Sequence, residues 1–306
     1  MKFLIVSDLH GRKPILSTKD FDAIIVPGDV CDDRKTAPLF RELFRVIKKN
    51  PDVDFWDIVK KRLGGEKAYN KIKKESVKRG NEILKELDKY GKPIFMVPGN
   101  HDESFGNTKI NMDKNEYNHH RGFLDLLSGD KINPKITKGI KNLKDCQFAC
   151  HFFNDVNIIG YGLCSGIADP RLRRTKFKGK QKERIIARYN KLLKKLGDLN
   201  KQKKKGNPTL FLSHSVPYNT KLDVITDDKS YAYGMHLGST VARWYCKKYQ
   251  PLICIGGHIH EHFGKTKIGK TVVVNTGFGP KKNIILEIKD GKIKKLKFVD
   301  GAKKRK

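Results

Sequence analysis

The sequence predicts a layered α/β domain, and three features point to it. Short apolar runs rich in β-branched residues recur: "KFLIVSDLH", "DAIIVPGDV", "KPIFMVPGNHD", "PTLFLSHS", "QPLICIGGHIH" and "KTVVVNTG". Several consecutive apolar residues suit strands buried on both faces. Between several of these runs the apolar spacing becomes that of amphipathic helices. Each run also ends in turn or polar residues, where a chain leaves a sheet. Strand–helix alternation of this kind builds a sheet covered by helices.

The elements follow in chain order. The first two runs, around Leu4 and Ile24, are predicted strands. Leu39, Leu43, Val46 and Ile47 then keep helix spacing behind Pro38, a favourable first-turn residue. Ile72, Ile83, Leu84 and Leu87 predict a second, highly charged helix ending near Gly91. A third strand enters "PGNHD". Residues 103–145 are polar and Gly/Asn-rich, with a short helix expected near Arg121 to Leu127. Residues 165–207 are strongly basic, with a helix expected from about Glu183 to Leu196. Both stretches are expected to be rim insertions in one domain spanning residues 1–300. A fourth helix is predicted from Ser239, a favourable N-cap, to just before Pro251. The chain then closes with two strands around "KDGK", where Asp290-Gly291 is a strong hairpin signal. Residues 301–306 are a basic tail.

The bulk properties exclude some function classes. The chain has 306 residues, 38% hydrophobic and 32% charged, with a mean hydropathy of −0.59. No apolar run approaches the roughly 18 residues that a membrane span needs. The start, "MKFLIVSDLHG", is too short in apolar residues for an export signal, so a cytoplasmic location is expected. Cys31, Cys146, Cys150, Cys164, Cys246 and Cys254 form no C-x-x-C pair and read as reduced, mostly packed thiols. The net charge is +32. That balance fits an anionic partner such as nucleic acid. It equally fits lysines spread over solvated helix faces, since the basic residues do not gather in one stretch.

Potential metal ligands stand at the ends of the predicted strands. The first delivers Asp8 and His10, the second Asp29, and the third Asn100, His101 and Asp102. The "LSHS" strand delivers His214, and the "ICIGG" strand delivers His258 and His260. In open α/β sheets, ligands collect beyond the carboxyl ends of strands. Carboxylate, carboxamide and imidazole from five strands can therefore share one cleft. Taken singly, each has an ordinary reading as a turn or packed polar residue. Nitrogen and oxygen donors without thiolate suit Mn, Fe, Zn, Ni or Co.

The ordered set Asp8-x-His10, Gly28-Asp29-x-x-Asp32, Gly99-Asn100-His101-Asp102, His214 and Gly257-His258-x-His260 resembles the calcineurin-like metallophosphoesterase superfamily. These motifs span Asp8 to His260. The text "SHSVPYNTKLDVIT…GMHLGSTVARWYCKKYQPLICIGGHIHEHFGKTKIGKTVVVNTG" is similar to a mainly archaeal branch of uncharacterised phosphoesterases within it.

The resemblance implies two mixed β-sheets flanked by helices, with insertions at the rim. It implies two divalent transition-metal ions. Asp8, His10 and His260 would hold one, Asn100, His214 and His258 the other, and Asp29 would bridge them. It implies hydrolysis of a phosphoester in a phosphorylated small molecule, monoester or diester, by metal-activated hydroxide. His101 would be the general acid. Asp102 would orient His101, or else serve as a simple turn carboxylate. Asp32 is expected to stabilise a turn or to support a ligand from behind, and His236, next to a helix start, is a candidate for the substrate pocket lining. His262 is expected to be exposed, and His119, His120 and His151 to have no special role. A metal-dependent nuclease is the alternative favoured by the charge. An inactive nucleic-acid-binding scaffold is the third reading.

Overall fold

The computed structural model describes residues 1–47, 50, 53–102, 136–162, 169, 178–230 and 232–301. The short helix expected near Arg121 to Leu127, most of the first expected insertion, part of the second, and residues 302–306 lie outside them.

Two six-stranded mixed sheets form the centre. The first contains β1 (Lys2–Ile5), β2 (Ala23–Val26), β3 (Ile94–Met96), β4 (Leu143–Asp145), β11 (Lys282–Lys289) and β12 (Lys292–Asp300), in the order β12-β11-β1-β2-β3-β4. The strands from β1 to β4 are parallel, and β11 and β12 join antiparallel. The second contains β5 (Cys150–Phe153), β6 (Val156–Tyr161), β7 (Thr209–Ser215), β8 (Ile253–Gly257), β9 (Gly264–Ile268) and β10 (Thr271–Asn275), in the order β5-β6-β7-β8-β10-β9. Its strands β6, β7, β8 and β10 are parallel, with antiparallel edges.

Strand alternation explains the layering. Phe3 and Ile5 of β1 and Ala23 and Ile25 of β2 face Leu210 and Leu212 of β7 and Ile253 and Ile255 of β8, making the core between the sheets. The intervening residues point the other way. Leu4, Val6, Ile24 and Val26 pack under Val77, Ile83, Leu84 and Leu87 of α3 (Glu66–Asp88). On the far side, Phe211 and Cys254 pack under α4 (Gly179–Lys201) and α5 (Thr240–Tyr249). Strands between two covered faces need apolar residues at every position, which is why they read as unbroken runs.

The predicted caps are present. Ser239 Oγ accepts the Ala242 N–H at 3.1 Å, starting α5. Asp290 and Gly291 both have positive φ, 52° and 67°, as the β11–β12 turn requires. Three parts of the fold were not anticipated. The helix α2 (Phe55–Leu63) lies between α1 (Ala37–Ile47) and α3, and packs Phe55, Ile58 and Val59 against Leu39, Phe40, Leu43 and Tyr69. The strands β4, β5 and β6 are the second, and β9 at the sheet edge is the third. No helix among the described residues is long and apolar enough to cross a membrane.

Candidate metal centre

The ligand-type residues sit at or just beyond the carboxyl ends of β1, β2, β3, β7 and β8. Four adopt the left-handed backbone region: Asp8 (φ 49°), His10 (45°), Asp29 (53°) and His258 (70°). Non-glycine residues there carry a conformational cost, and such residues cluster at functional sites. Neighbouring contacts hold the loops in this shape. The His10 N–H donates to the Asp29 carbonyl at 3.0 Å, and the Asp8 N–H to the Gly28 carbonyl at 3.0 Å. Two glycines permit the close approach of strands. A Cβ at Gly257 would collide with Asp8 Oδ2, and one at Gly99 with Asp29 Oδ1.

Three donor groups form among the described residues: two share Asp29, and the third is His10, Asp33 and His101. Donor atoms of Asp8, His10, Asp29 and His260 all lie within 4.8 Å of one another, as do those of Asp29, His214 and His258. In the first group His10 Nε2 is 3.2 Å from His260 Nε2, and His260 Nε2 is 3.3 Å from Asp8 Oδ1. In the second, His214 Nε2 is 2.9 Å from Asn100 Oδ1 and 3.3 Å from Asp29 Oδ2. Every position expected to hold metal is thus present in one cluster.

The protonation pattern fits cations. Pro27 O can only accept, so His214 Nδ1, 2.9 Å away, carries a ring proton. Its Nε2 faces the oxygens of Asn100 and Asp29, the edge that a cation would take in exchange for a proton. His10 Nδ1 lies 3.0 Å from Asp33 Oδ2 without hydrogen-bond geometry, and its Nε2 is turned into the cluster, 3.2 Å from His260 Nε2. Outer contacts like that of Pro27 fix the tautomer that a metal-binding imidazole needs. Burial alone would raise the Asp29 carboxyl pKa, but the imidazoles around it, His214 foremost, outweigh it and hold it well below the usual carboxylate value. Asp8 is likewise lowered, with His260 and His214 overcoming the effect of burial. Ionised carboxylates and imidazole nitrogens facing one another form a donor set for divalent ions.

His101 lies against this cluster. Its N–H donates to Asp29 Oδ1 at 2.8 Å, and its ring packs edge-on to His10 with centroids 5.2 Å apart. Burial lowers its pKa to about 4, so the ring is neutral at neutral pH. The expected orientation of His101 by Asp102 is corrected here. Asp102 Oδ1 accepts the N–H groups of Val30 and Cys31, both at 3.0 Å, and Oδ2 accepts that of Gly99 at 2.9 Å. With three backbone donors its carboxylate staples two ligand loops together, and among the described residues His101 Nδ1 has no hydrogen-bond partner. The acidic group facing His101 is instead Asp33, with Oδ2 3.9 Å from His101 Nε2. Asp33 escaped the sequence reading because it stands beside Asp32 in "CDDR". Asp32 itself pairs with Arg34.

The other histidines separate cleanly. His262 is half-buried rather than exposed, with Nε2 2.7 Å from the Val224 carbonyl. His151 meets the Asp145 carbonyl at 2.7 Å. His236 Nδ1 is 2.8 Å from Asp223 Oδ1, a buried carboxylate that also accepts the Thr220 N–H at 2.6 Å. His119 and His120 lie outside the described residues. Phe278 was also unforeseen. Its ring stacks on His260 with centroids 4.5 Å apart and lies 5.2 Å from that of His10.

Comparison with known proteins identifies a family. The family model described as calcineurin-like phosphoesterase matches residues 1–262. An uncharacterised protein of Methanocaldococcus jannaschii is 25% identical over 298 residues, covering 94% of this chain and 95% of its own. One crystal structure aligns over 97% of this chain and 98% of its own, at 17% identity and a TM-score of 0.53, a likeness of fold. Phosphopantetheinyl hydrolase from Mycobacterium tuberculosis aligns over 91% of this chain and 90% of its own, at 15% identity and a TM-score of 0.43. With its layered sheets, its clustered donors and a family match over most of its length, this chain belongs to the calcineurin-like phosphoesterases.

Proposed function

We propose that this protein hydrolyses phosphoester bonds in small phosphorylated molecules, monoesters or diesters, with two divalent transition-metal ions drawn from Mn, Fe, Zn, Ni or Co. The observation that carries the proposal is the membership of Asp29 in both donor groups. A carboxylate has two oxygens and can serve two cations, whereas an imidazole ordinarily serves one. Asp8, His10 and His260 would hold the first ion, and Asn100, His214 and His258 the second. Bound ions of this kind supply Lewis acidity towards water and phosphoryl oxygens.

The protein's own residues do the rest. The Pro27 carbonyl holds His214 with its Nε2 turned inward, and His10 lies beside Asp33 with its Nε2 turned inward. His101 is the candidate proton donor to the leaving oxygen. It is neutral without substrate, because burial opposes its charge. An arriving phosphate anion favours the protonated ring and raises its pKa. General-acid help is typically worth about 10²–10⁴ in rate. Asp102 shapes the loop that presents His101 and has no part in proton transfer. The core between the sheets draws on strands from β1 to β12, which supports reading residues 1–300 as one phosphoesterase domain.

The test is one assay on three substrates: p-nitrophenyl phosphate, bis-p-nitrophenyl phosphate and single-stranded DNA, each across a panel of these metals and with chelator. Metal-dependent turnover of a small ester is expected. No turnover with any metal would overturn the hydrolase reading. The net charge of +32 favours a second reading, a nuclease, and cleavage of DNA alone would establish it.

A further inference from the structure

An arginine stands one aromatic ring away from the candidate metal centre. The Arg12 guanidinium carbon lies 5.1 Å from the Phe278 ring centroid, and Phe278 stacks in turn on His260. Arg12 Nη1 is 3.5 Å from the His10 carbonyl oxygen. Among the described residues no carboxylate pairs with Arg12. A planar guanidinium has five N–H donors in a fixed fork, suited to carboxylate or phosphate oxygens. Here a ring face and one carbonyl hold it, so most of that fork is unspent.

The support is rigid. Arg12 and Phe278 lie on two loops stapled by backbone hydrogen bonds. The Gly279 N–H donates to the Asp8 carbonyl at 3.1 Å, and the Ile15 N–H to the Pro280 carbonyl at 2.7 Å. The Arg12 N–H closes a turn on the Leu9 carbonyl at 2.9 Å. Both Arg12 and Phe278 are half-buried, so the head group is placed without being sealed from a ligand. An arginine resting on an aromatic face loses less freedom when it binds an anion.

We propose that Arg12, shelved on Phe278, recognises a second anionic group of the substrate, a carboxylate or a second phosphate carried beyond the reacting phosphoester. The proposal rests on the phosphoesterase reading above. The reacting phosphoryl group belongs with the donor cluster, and Arg12 flanks that cluster behind the ring of Phe278. It therefore meets what is attached to the phosphoryl group.

Two matched pairs test this on the Mn²⁺-loaded full chain. Phosphate release is measured from 2-phosphoglycerate against glycerol 2-phosphate, and from glucose 1,6-bisphosphate against glucose 1-phosphate. The pairs separate a carboxylate from a second phosphate. Calorimetry measures binding of phosphonoacetate against methylphosphonate, neither of which has an ester bond to hydrolyse. The wild type is expected to favour the doubly anionic member of at least one pair in KM, and phosphonoacetate in Kd, by about tenfold, the lower range for a charge-assisted hydrogen bond. Arg12→Gln, similar in shape but neutral, brings these ratios close to one. Phe278→Leu, which removes the shelf and keeps the charge, gives an intermediate ratio and serves if Arg12→Gln does not fold. No preference in the wild type, or the same preference in Arg12→Gln, overturns the proposal. Phosphonoacetate selectivity that depends on Arg12, without hydrolysis of any ester, would leave the subsite standing and reject the hydrolase reading.

Discussion

The two halves of the candidate metal centre are built by different means. The half around His214 is the more enclosed. His214 is fully buried, Asn100 nearly so, and the Pro27 carbonyl fixes the ring from behind. The half around His260 is open. Its side chain is 39% exposed and is held by ring contacts with His10 and Phe278. A main-chain carbonyl holds the buried ring of the first half, whereas ring contacts hold the exposed ring of the second. The His260 side, next to Arg12 and Phe278, is the more exposed face of the cluster.

The largest expected effect comes from the residue common to both halves. Asp29→Asn should remove most bound metal and lower turnover about 10³-fold or more, read by elemental analysis and p-nitrophenyl phosphate hydrolysis. Loss of only half the metal would mean that Asp29 serves one site. His101→Ala should come next, lowering kcat by about 10²–10⁴ while metal content stays constant. Metal loss in that variant would make His101 a ligand and not the proton donor.

The contrast between the halves is tested by stability in chelator. His214→Ala leaves the buried Pro27 carbonyl unpaired and opens a cavity, so it should cost about 2–4 kcal/mol in urea unfolding. His260→Ala, on the open side, should cost less than about 1 kcal/mol. Equal costs would erase the distinction. The smallest effect is a titration. In metal-free protein the His101 ring resonances should move with a midpoint near pH 4. The unfolded ring takes up its proton near pH 6.5, so this residue's contribution to stability is complete above that pH. It falls away as pH drops through about 4. A midpoint of 6.5 would show that water reaches the ring.

The strands that carry ligands were legible because burial on both faces demands unbroken apolar runs, which then stop abruptly at Asp, Asn or His. The residues that gather at the strand ends were legible for the same reason. What failed had no such signal. The helix α2 is short, and the strands β4 to β6 include polar residues such as Lys144, His151 and Asn157. Asp33 and Asp32 look alike in sequence, and only the turn decides that one faces histidines and the other Arg34. Asp102 stands next to His101 along the chain, yet the three N–H groups that claim it come from Val30, Cys31 and Gly99. Phe278 meets His260 across separate loops, a relation that periodicity does not encode.

The left-handed backbone at Asp8, His10, Asp29 and His258 has a consequence for anyone redesigning this chain. At those positions glycine is the easiest residue to accommodate, by up to about 1–2 kcal/mol relative to the L-residue. At Asp8 and Asp29 that backbone gain is offset, because their carboxylates accept the N–H groups of His258 and His101, and a buried donor left unpaired costs about 1–3 kcal/mol. Stability-guided libraries of this protein should therefore hold these codons fixed, since backbone shape and side chain are supplied there together.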